Sequence, residues 1–469
     1  MRHHLERLGS TQDGVEAIFS ARIDQLRSPW STYAVFDRSG LIFGNGLTGV
    51  PADGRPSVDT AFRIASCTKS FTAAAALLLR DAGRLSLDDP IDKFVRLGGP
   101  EGAGGRLPTV GQLLSMNGGL PTDDPWADRQ ESMSIADFDR LAGNGFRFVR
   151  RPGTGYEYSN LGFALVGRAI AVAAGRPYVD FVTDELLRPL GLDQIAYHAG
   201  VPAADGVAVG YHRTGGGPEP AEWVAQPFSG PGAFSPIGGL FATPRALVDW
   251  VRWLGDPADE RVLSAASRRE MGTVHTPIGE DDDDGNGYGY GLVVEESPRH
   301  GTVLAHSGGY PGFGAHLRWH SESGIGIVAM ENATYCGTKL AARAALTLML
   351  DETAMPERAP ELWPETIAAR DTVERLLRHW DPELAGALFA DNVELDEPLS
   401  RRAASIGELV RAAGIAATDP VPLLSASPFC NSPAHLVWTS PGSSGSLRCE
   451  IQLTPQSPPL VQTLTVRLG

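Results

Sequence analysis

The segment from Cys67 to Ala82, CTKSFTAAAALLLRDA, constrains the fold of this chain more than any other stretch. Its alanines and leucines favour a long helix, and Gly83 follows as a helix-ending residue. Apolar residues lie on every side of that helix rather than along one stripe, so the helix has to be buried all round. A helix of this kind predicts a substantial domain with structure packed around it.

The rest of the first 350 residues alternates between strand and helix patterns. Residues 12–27 have helical spacing, whereas 33–37 and 41–46 read as a strand pair. Short helices joined by Pro/Gly loops follow over 88–230, the clearest of them at 161–175. Strand patterns return after residue 285. We therefore expect strands from both ends of this unit to share one sheet around a helical middle.

A second unit is expected at the C-terminal end. The chain has 469 residues, which is long for one ordinary domain. Residues 351–365 are rich in proline and charge, as in a linker. A helix pattern at 366–380 and alternating strands at 447–453 and 463–469 come after it. We predict domains at 1–355 and 366–469, the second being a small α+β or β-barrel module.

Composition excludes several classes of function. The formal net charge of −16 argues against a nucleic-acid partner, because phosphate binding needs a basic patch. None of the four cysteines forms a C-x-x-C pair, so no zinc ribbon or redox motif is expected. The N-terminal stretch has no apolar signal region, and no run of 18 apolar residues occurs. We expect a cytoplasmic protein without a membrane span, metal or cofactor.

The first candidate site combines Ser66 with Lys69. A spacing of three places both side chains on one face of the buried helix. The helix N-terminus offers free backbone N–H groups to a developing oxyanion. Only three of the 40 basic residues are lysines, and a charge in an apolar helix needs a reason. A buried lysine loses its proton more readily and can activate the serine. The structural alternative is an N-cap serine beside an incidental lysine.

Two further candidates lie far along the chain. Tyr158 and Asn160 precede an apolar helix, where a phenol can relay protons and an amide can bind a lysine. Aromatic packing and helix capping are the structural alternative. His306, Gly308 and Gly309 follow an apolar strand, and the Gly309 N–H can serve as an oxyanion donor. A strand-end histidine before a glycine turn is the alternative there.

In order and spacing, the three motifs together resemble the serine β-lactamase and penicillin-binding-protein superfamily, with its S-x-x-K, Y-x-N and H-x-G elements. The resemblance covers roughly residues 10–350 and is strongest to the class C branch, with its esterases, D-aminopeptidases and D,D-peptidases. It implies an α/β fold with an antiparallel sheet flanked by helices and a helical subdomain. For the C-terminal module, it implies a lipocalin-like β appendage of the kind found on some of these hydrolases. Met116 and His306 depart from many relatives, which favours an esterase or peptidase over an antibiotic-destroying role.

The resemblance also implies roles for the residues. Ser66 is expected as the nucleophile, with proton transfer by Lys69 and Tyr158 and tuning by Asn160 and His306. The N–H groups of Ser66 and Gly309 would form the oxyanion hole. Among class C relatives, a residue near Asp123 touches the acyl chain of the substrate.

These roles predict hydrolysis of an ester or peptide, including one with D-residues. Peptide cyclisation by acyl transfer and non-catalytic ligand binding remain alternatives. Asp123, with Gly308 and Trp126, is expected to contact a small-molecule or peptide substrate and to favour a free amine. Two solvated loop aspartates, Asp123 and Asp124, are the structural alternative. The oligomeric state is not fixed by the sequence.

Overall fold

The structure is a computed structural model. It describes residues 7–25, 27–49, 54–98, 105–216, 219–279, 286–297, 299–353, 362–424, 430 and 432–468. The chain divides into two compact units, residues 1–355 and 356–469. The sequence predicts a linker at residues 351–365, and residues 354–361 of it lie outside the described residues.

The described residues of the first unit are built on an eight-stranded antiparallel sheet. Its strands are β1 Trp30–Asp37, β2 Gly40–Thr48, β8 Thr276–Pro277, β9 Gly287–Tyr288, β10 Val293–Ser297, β11 Gly301–Tyr310, β12 Phe313–His320 and β13 Gly326–Glu331. Their order in the sheet is β2-β1-β13-β12-β11-β10-β9-β8. Strand β1 pairs with β13, in a register that places Tyr33 opposite Ala329. Strands from the two ends of the unit therefore share one sheet, as the sequence pattern predicts.

Alternation along β1 divides the core into two layers. Tyr33 and Val35 belong to the cluster that packs against the helices α1 Gln12–Asp24 and α12 Thr338–Glu352. Ala34 and Phe36 belong to the larger cluster on the other face, because successive strand residues point to opposite faces. That larger cluster contains α2 Thr68–Asp81, the alanine-rich helix, whose residues from Thr68 to Leu77 are all buried. The burial predicted for this helix is confirmed.

The helical middle of the chain lies between β2 and β8. Its α-helices are α3 Val110–Leu114, α4 Asp124–Ala127, α5 Ile135–Gly143, α6 Asn160–Ala174, α7 Tyr178–Val182, α8 Arg188–Leu190, α9 Ser235–Gly238, α10 Pro244–Gly255 and α11 Ala265–Met271. Single helical turns of other types occupy Ala65–Cys67, Ile91–Lys93 and Thr183–Leu187. Two small sheets complete it, from β3 Phe62–Arg63, β4 Ile195–Ala196 and β7 Phe241–Ala242, and from β5 Tyr211–Gly216 and β6 Glu219–Ala225. Together with the large sheet, these elements confirm the predicted fold class.

The second unit has its own hydrophobic core. Its helices are α13 Pro364–Arg378, α14 Pro382–Leu388, α15 Asp391–Asp396 and α16 Leu399–Ala413, followed by the antiparallel strands β14 His435–Pro441, β15 Ser446–Leu453 and β16 Val461–Leu468. In its described part this unit is an α+β module, and three strands do not close a lipocalin-like barrel, which needs eight. Of the two architectures expected from the sequence, the α+β one is observed.

Candidate active site

Ser66 lies in a strained turn between strand β3 and helix α2. The turn covers Ala65–Cys67, and the Ser66 side chain is nearly buried. Ala65 has a φ of +47°, a left-handed conformation that costs a non-glycine residue about 1–3 kcal/mol. Such a conformation persists only where neighbouring contacts hold it in place. This strain could not be predicted from the sequence, because alanine has no preference for the left-handed region.

Strand β11 approaches the Ser66 turn closely at Gly308. A Cβ atom at this glycine would lie 2.4 Å from the carbonyl oxygen of Ile64 and 3.2 Å from the backbone nitrogen of Ser66. Only a residue without a side chain permits that approach. Strand β10 pairs with β11 only up to Ala305, so residues 306–310 have no strand partner on that side within the described part of the sheet. The Gly309 backbone lies in this segment, as an oxyanion donor requires.

Lys69 is fully buried at the centre of the site, one turn after Ser66. Its Nζ lies 2.9 Å from Ser66 Oγ, 2.7 Å from Asn160 Oδ1 and 3.0 Å from the carbonyl oxygen of Ile237. Burial lowers the pKa of Lys69, and the nearby carboxylates of Asp124, Asp128 and Asp123 oppose that shift. Lys69 therefore has the geometry and the shifted pKa of a general base.

Asn160 is the first residue of α6, and Ser159 provides the N-cap by accepting from the Gly162 N–H at 3.2 Å. The Asn160 amide instead bridges two charged groups. It accepts from Lys69 through Oδ1 and donates from Nδ2 to Asp124 Oδ1 at 2.5 Å. A donor on one side and an acceptor on the other fix the orientation of this amide.

The structure places Asp123, an expected substrate contact, at the start of α6, and Trp126, another, on α4. The two carboxylate oxygens of Asp123 accept from the N–H groups of Asn160 at 2.7 Å and Leu161 at 2.8 Å. This is a capping arrangement at the N-terminus of α6, which favours negative charge. The capping contacts engage both carboxylate oxygens, which distinguishes Asp123 from a solvated loop residue. Trp126 is 43% exposed and packs edge-on against Phe234, with ring centroids 5.6 Å apart.

Tyr158 places its ring beside the lysine, with Nζ of Lys69 5.0 Å from the ring centroid. Burial raises the pKa of Tyr158 well above its ordinary value, and Tyr288 and Asp124 raise it further. A hydrogen bond with the Ser66 side chain opposes the shift. Tyr158 is thus held as a neutral phenol next to a lysine whose pKa is lowered. The two neighbouring groups therefore have pKa shifts in opposite directions, an arrangement that suits proton transfer between them.

His306 is held from both ring nitrogens. Nδ1 lies 2.7 Å from the Ser307 carbonyl oxygen, which can only accept, so Nδ1 carries the proton. Nε2 then accepts from the Tyr288 hydroxyl at 2.8 Å. The His306 ring lies 6.3 Å from that of Tyr158 and 5.9 Å from that of Tyr288. The structure thus brings His306 to the site next to Tyr158, and it adds Tyr288, which no sequence motif marks.

Tyr335 packs against Gly309 at one side of the site. A Cβ atom at Gly309 would lie 2.7 Å from the Tyr335 ring, and the Tyr335 hydroxyl donates to Asp128 Oδ2 at 2.7 Å. Tyr335 has a φ of +47°, a second strained residue at this site. Burial raises the pKa of Asp128. The spacing of four between Asp124 and Asp128 could have indicated that both lie on one helical face.

The described residues contain no group of three or more His, Cys, Asp or Glu side chains that could hold a metal ion. In the described part of the chain, no helix is both long and apolar enough to cross a membrane.

Comparison with known proteins agrees with this fold. Residues 15–349 match the family model described as Beta-lactamase. Protein flp of Staphylococcus aureus (strain MW2) is 25% identical over 329 residues, covering 69% of this chain and 63% of the relative. The D-alanyl-D-alanine-carboxypeptidase/endopeptidase AmpH of Escherichia coli (strain K12) is 28% identical over 215 residues, covering 42% of this chain and 50% of the relative.

Among solved structures, the octameric penicillin-binding protein homologue from Pyrococcus abyssi superimposes with a TM-score of 0.62 at 19% identity. That match covers 97% of this chain and 99% of the homologue. The chain spans less than two thirds of the length of the curated relatives it matches. It belongs to the β-lactamase family, a family of serine hydrolases, and the resemblance found in the sequence is thereby confirmed.

Proposed function

We propose that the protein is a serine hydrolase that forms an acyl-enzyme on Ser66 and hydrolyses an ester or peptide bond, including one with D-residues. The observation that carries this proposal is the 2.9 Å contact between Lys69 Nζ and Ser66 Oγ in a fully buried setting. Burial lowers the pKa of Lys69. The neutral amine then keeps two N–H donors for Asn160 and Ile237, and its lone pair is available for the Ser66 proton.

The proton path follows from these contacts. Lys69 takes the Ser66 proton as Oγ attacks the acyl carbonyl. Tyr158 remains a phenol, because its pKa is raised, and it donates to the leaving group. The lysine ammonium restores the Tyr158 proton and returns to the neutral form. His306 and Tyr288 orient the ring of Tyr158 through their mutual hydrogen bond and ring contacts.

The oxyanion that develops on the substrate carbonyl is assigned to the backbone N–H groups of Ser66 and Gly309. Ser66 stands at the entrance to α2, where the first N–H groups lack intrahelical acceptors. The close approach at Gly308 brings strand β11 next to them. Two fixed donors of this type stabilise the transition state without reorganising.

Release of the acyl group by water completes hydrolysis, and release by an amine would give acyl transfer or peptide cyclisation. One observation favours an amine as a second candidate acceptor. The carboxylates of Asp124 and Asp128 lie close enough to act on the charge of Lys69, more strongly than that of Asp123. This concentration of negative charge attracts a cationic amine and repels a carboxylate. The relative AmpH is named for cleavage of D-alanyl-D-alanine, which makes D-peptides a first substrate class to test.

A covalent probe separates catalysis from ligand binding in the same fold. We expect a fluorophosphonate to add to the intact protein once, and the Ser66→Ala variant to remain unmodified. The intact mass should then show acyl-enzymes across a panel of p-nitrophenyl esters and peptides with L- or D-residues, with and without an added amine. If the wild type remains unlabelled while folded, the protein is a binding module.

A further inference from the structure

Glu131, between helices α4 and α5, is a buried acid that the proposed chemistry does not use. Its side chain is 1% exposed. Burial raises its pKa, and Arg63, Ser235 and Tyr310 act in the opposite direction. A carboxylate in such a place is costly unless every lone pair has a partner. The partners of the Glu131 carboxylate therefore indicate which parts of the structure it connects.

The three partners come from three separate elements. Arg63 Nη2 lies 3.3 Å from Glu131 Oε2, the Ser235 hydroxyl donates to Oε1 at 2.8 Å, and the Tyr310 hydroxyl donates to Oε2 at 3.2 Å. These three donors suit an ionised carboxylate, which only accepts.

Each partner is a near neighbour in sequence of a group in the active site. Arg63 ends strand β3, three residues before Ser66, and Tyr310 directly follows Gly309 on β11. Ser235 begins α9, whose Ile237 carbonyl accepts from Lys69.

Arg63 strengthens the connection. Its Nε donates to the Gly238 carbonyl at 3.1 Å and its Nη1 to Ser229 Oγ at 2.9 Å, and its guanidinium lies 4.2 Å from the centroid of the Tyr310 ring. This arginine is 3% exposed and two positions before the strained Ala65. A left-handed alanine persists only where its surroundings fix it, and Arg63 supplies such fixed contacts.

Gly238, the last residue of α9, and Gly239, which follows it, fit the same arrangement. A Cβ atom at Gly239 would lie 2.6 Å from Glu131 Oε1. One at Gly238 would lie 3.1 Å from the Tyr310 ring and 3.4 Å from the carbonyl carbon of Ala65. A side chain at Gly239 would therefore displace the Glu131 carboxylate, and one at Gly238 would be tightly packed, so the two glycines let α9, β11 and the Ser66 turn converge on the same carboxylate.

We propose that Glu131 is a positioning residue that fixes the Ser66 turn, the Ile237 carbonyl and the Gly309 backbone relative to one another. It touches none of the reacting atoms, and its effect passes through Arg63 and the two hydroxyls. The proposal rests on the proposed acyl-enzyme chemistry at Ser66.

The test removes single hydroxyls, since Glu131→Gln would leave a buried guanidinium without its counterion. In Ser235→Ala the Ile237 carbonyl is held less firmly, so the Lys69 ammonium is less stabilised. The acid limb of kcat/KM should then move to lower pH. In Tyr310→Phe the Gly309 N–H is displaced, so kcat should fall about tenfold or more with KM and the acid limb little changed.

A matched control is Ser264→Ala, which removes a serine N-cap from α11 in the same unit, away from this network. The groups that act electrostatically on Lys69, namely Asp123, Asp124, Asp128, Cys67 and Tyr158, are unaltered in all three variants. The control should lose thermal stability while keeping the wild-type kcat and pH profile.

The two outcomes are separable. If Ser235→Ala and Tyr310→Phe lose only thermal stability, as the control Ser264→Ala does, Glu131 is a structural residue and the proposal is wrong. If the wild type itself is not acylated by the fluorophosphonate, the proposed function fails and the positioning role falls with it.

Discussion

Replacing Asp124 by asparagine should make the enzyme active at lower pH. The substitution keeps an oxygen that can accept from Asn160 Nδ2 but removes a negative charge close to Lys69. That charge stabilises the lysine ammonium, which is the inactive form of the base. Without it the pKa of Lys69 falls, and the acid limb of kcat/KM, which reports the free enzyme's base, moves to lower pH.

The size of the shift follows from the contacts. The Asn160 side chain separates the two charges, with hydrogen bonds of 2.7 Å to Lys69 and 2.5 Å to Asp124. That places them roughly 6–7 Å apart, where Coulomb's law with an effective dielectric constant of about 20 gives about 2.5 kcal/mol. Since about 1.4 kcal/mol corresponds to one pKa unit, we expect a shift of about 1–2 pH units after screening by solvent.

The assay is kcat/KM for a neutral p-nitrophenyl ester across the pH range, with the ester chosen so that no substrate group titrates. Asp249→Asn is the control, because it removes an equal charge from an exposed position on α10. Its acid limb should match that of the wild type. An acid limb that stays in place in Asp124→Asn, or moves to higher pH, would refute the assignment of Lys69 as the base.

Three further predictions concern the same site. Ser66→Ala should abolish labelling by a fluorophosphonate and ester turnover, and Lys69→Arg should nearly do so, because a permanent cation cannot accept the proton; wild-type turnover in Lys69→Arg would rule out the general base. Prolonged EDTA treatment should leave turnover unchanged, and a loss restored by zinc would contradict a metal-free mechanism. Asp123→Asn should lower the free energy of unfolding by about 1 kcal/mol, because the amide nitrogen that replaces one carboxylate oxygen cannot accept from an N–H of α6. In this variant the ratio of kcat/KM for free-amine and N-acetylated substrates should equal that of the wild type. A changed ratio would support the contact between Asp123 and the substrate that the sequence predicts.

Local patterns made much of the molecule predictable. A three-residue spacing in an apolar helix indicated that Ser66 and Lys69 lie together, and the scarcity of lysine singled out the second residue. Alternation in β1 and in the strands after residue 285 predicted the sheet, because the period of two survives any tertiary arrangement.

Contacts between distant segments could not be predicted in this way. The acidic run at 123–124 gave no sign of which carboxylate caps α6 and which binds the Asn160 amide. Glu131 meets Arg63 and Tyr310 across 68 and 179 residues of sequence, and no spacing rule links such positions. The tautomer of His306 depends on Tyr288 and on a backbone carbonyl, neither of which is marked by a motif.

The early end of the β10–β11 pairing has a consequence for substrate recognition. Past Ala305, strand β11 is paired on only one side within the described sheet, so we expect an extended substrate chain that reaches Ser66 to pair with its backbone. Recognition of that kind uses the amide groups that all peptides share, and it tolerates variation in side chains. Replacing one amide of a peptide substrate by an ester, or methylating its nitrogen, should therefore lower kcat/KM more than altering its side chains does. The unpaired edge of β11 is short and contains glycines. It therefore offers little length for a strand of another protein to pair with, which limits aggregation through this edge.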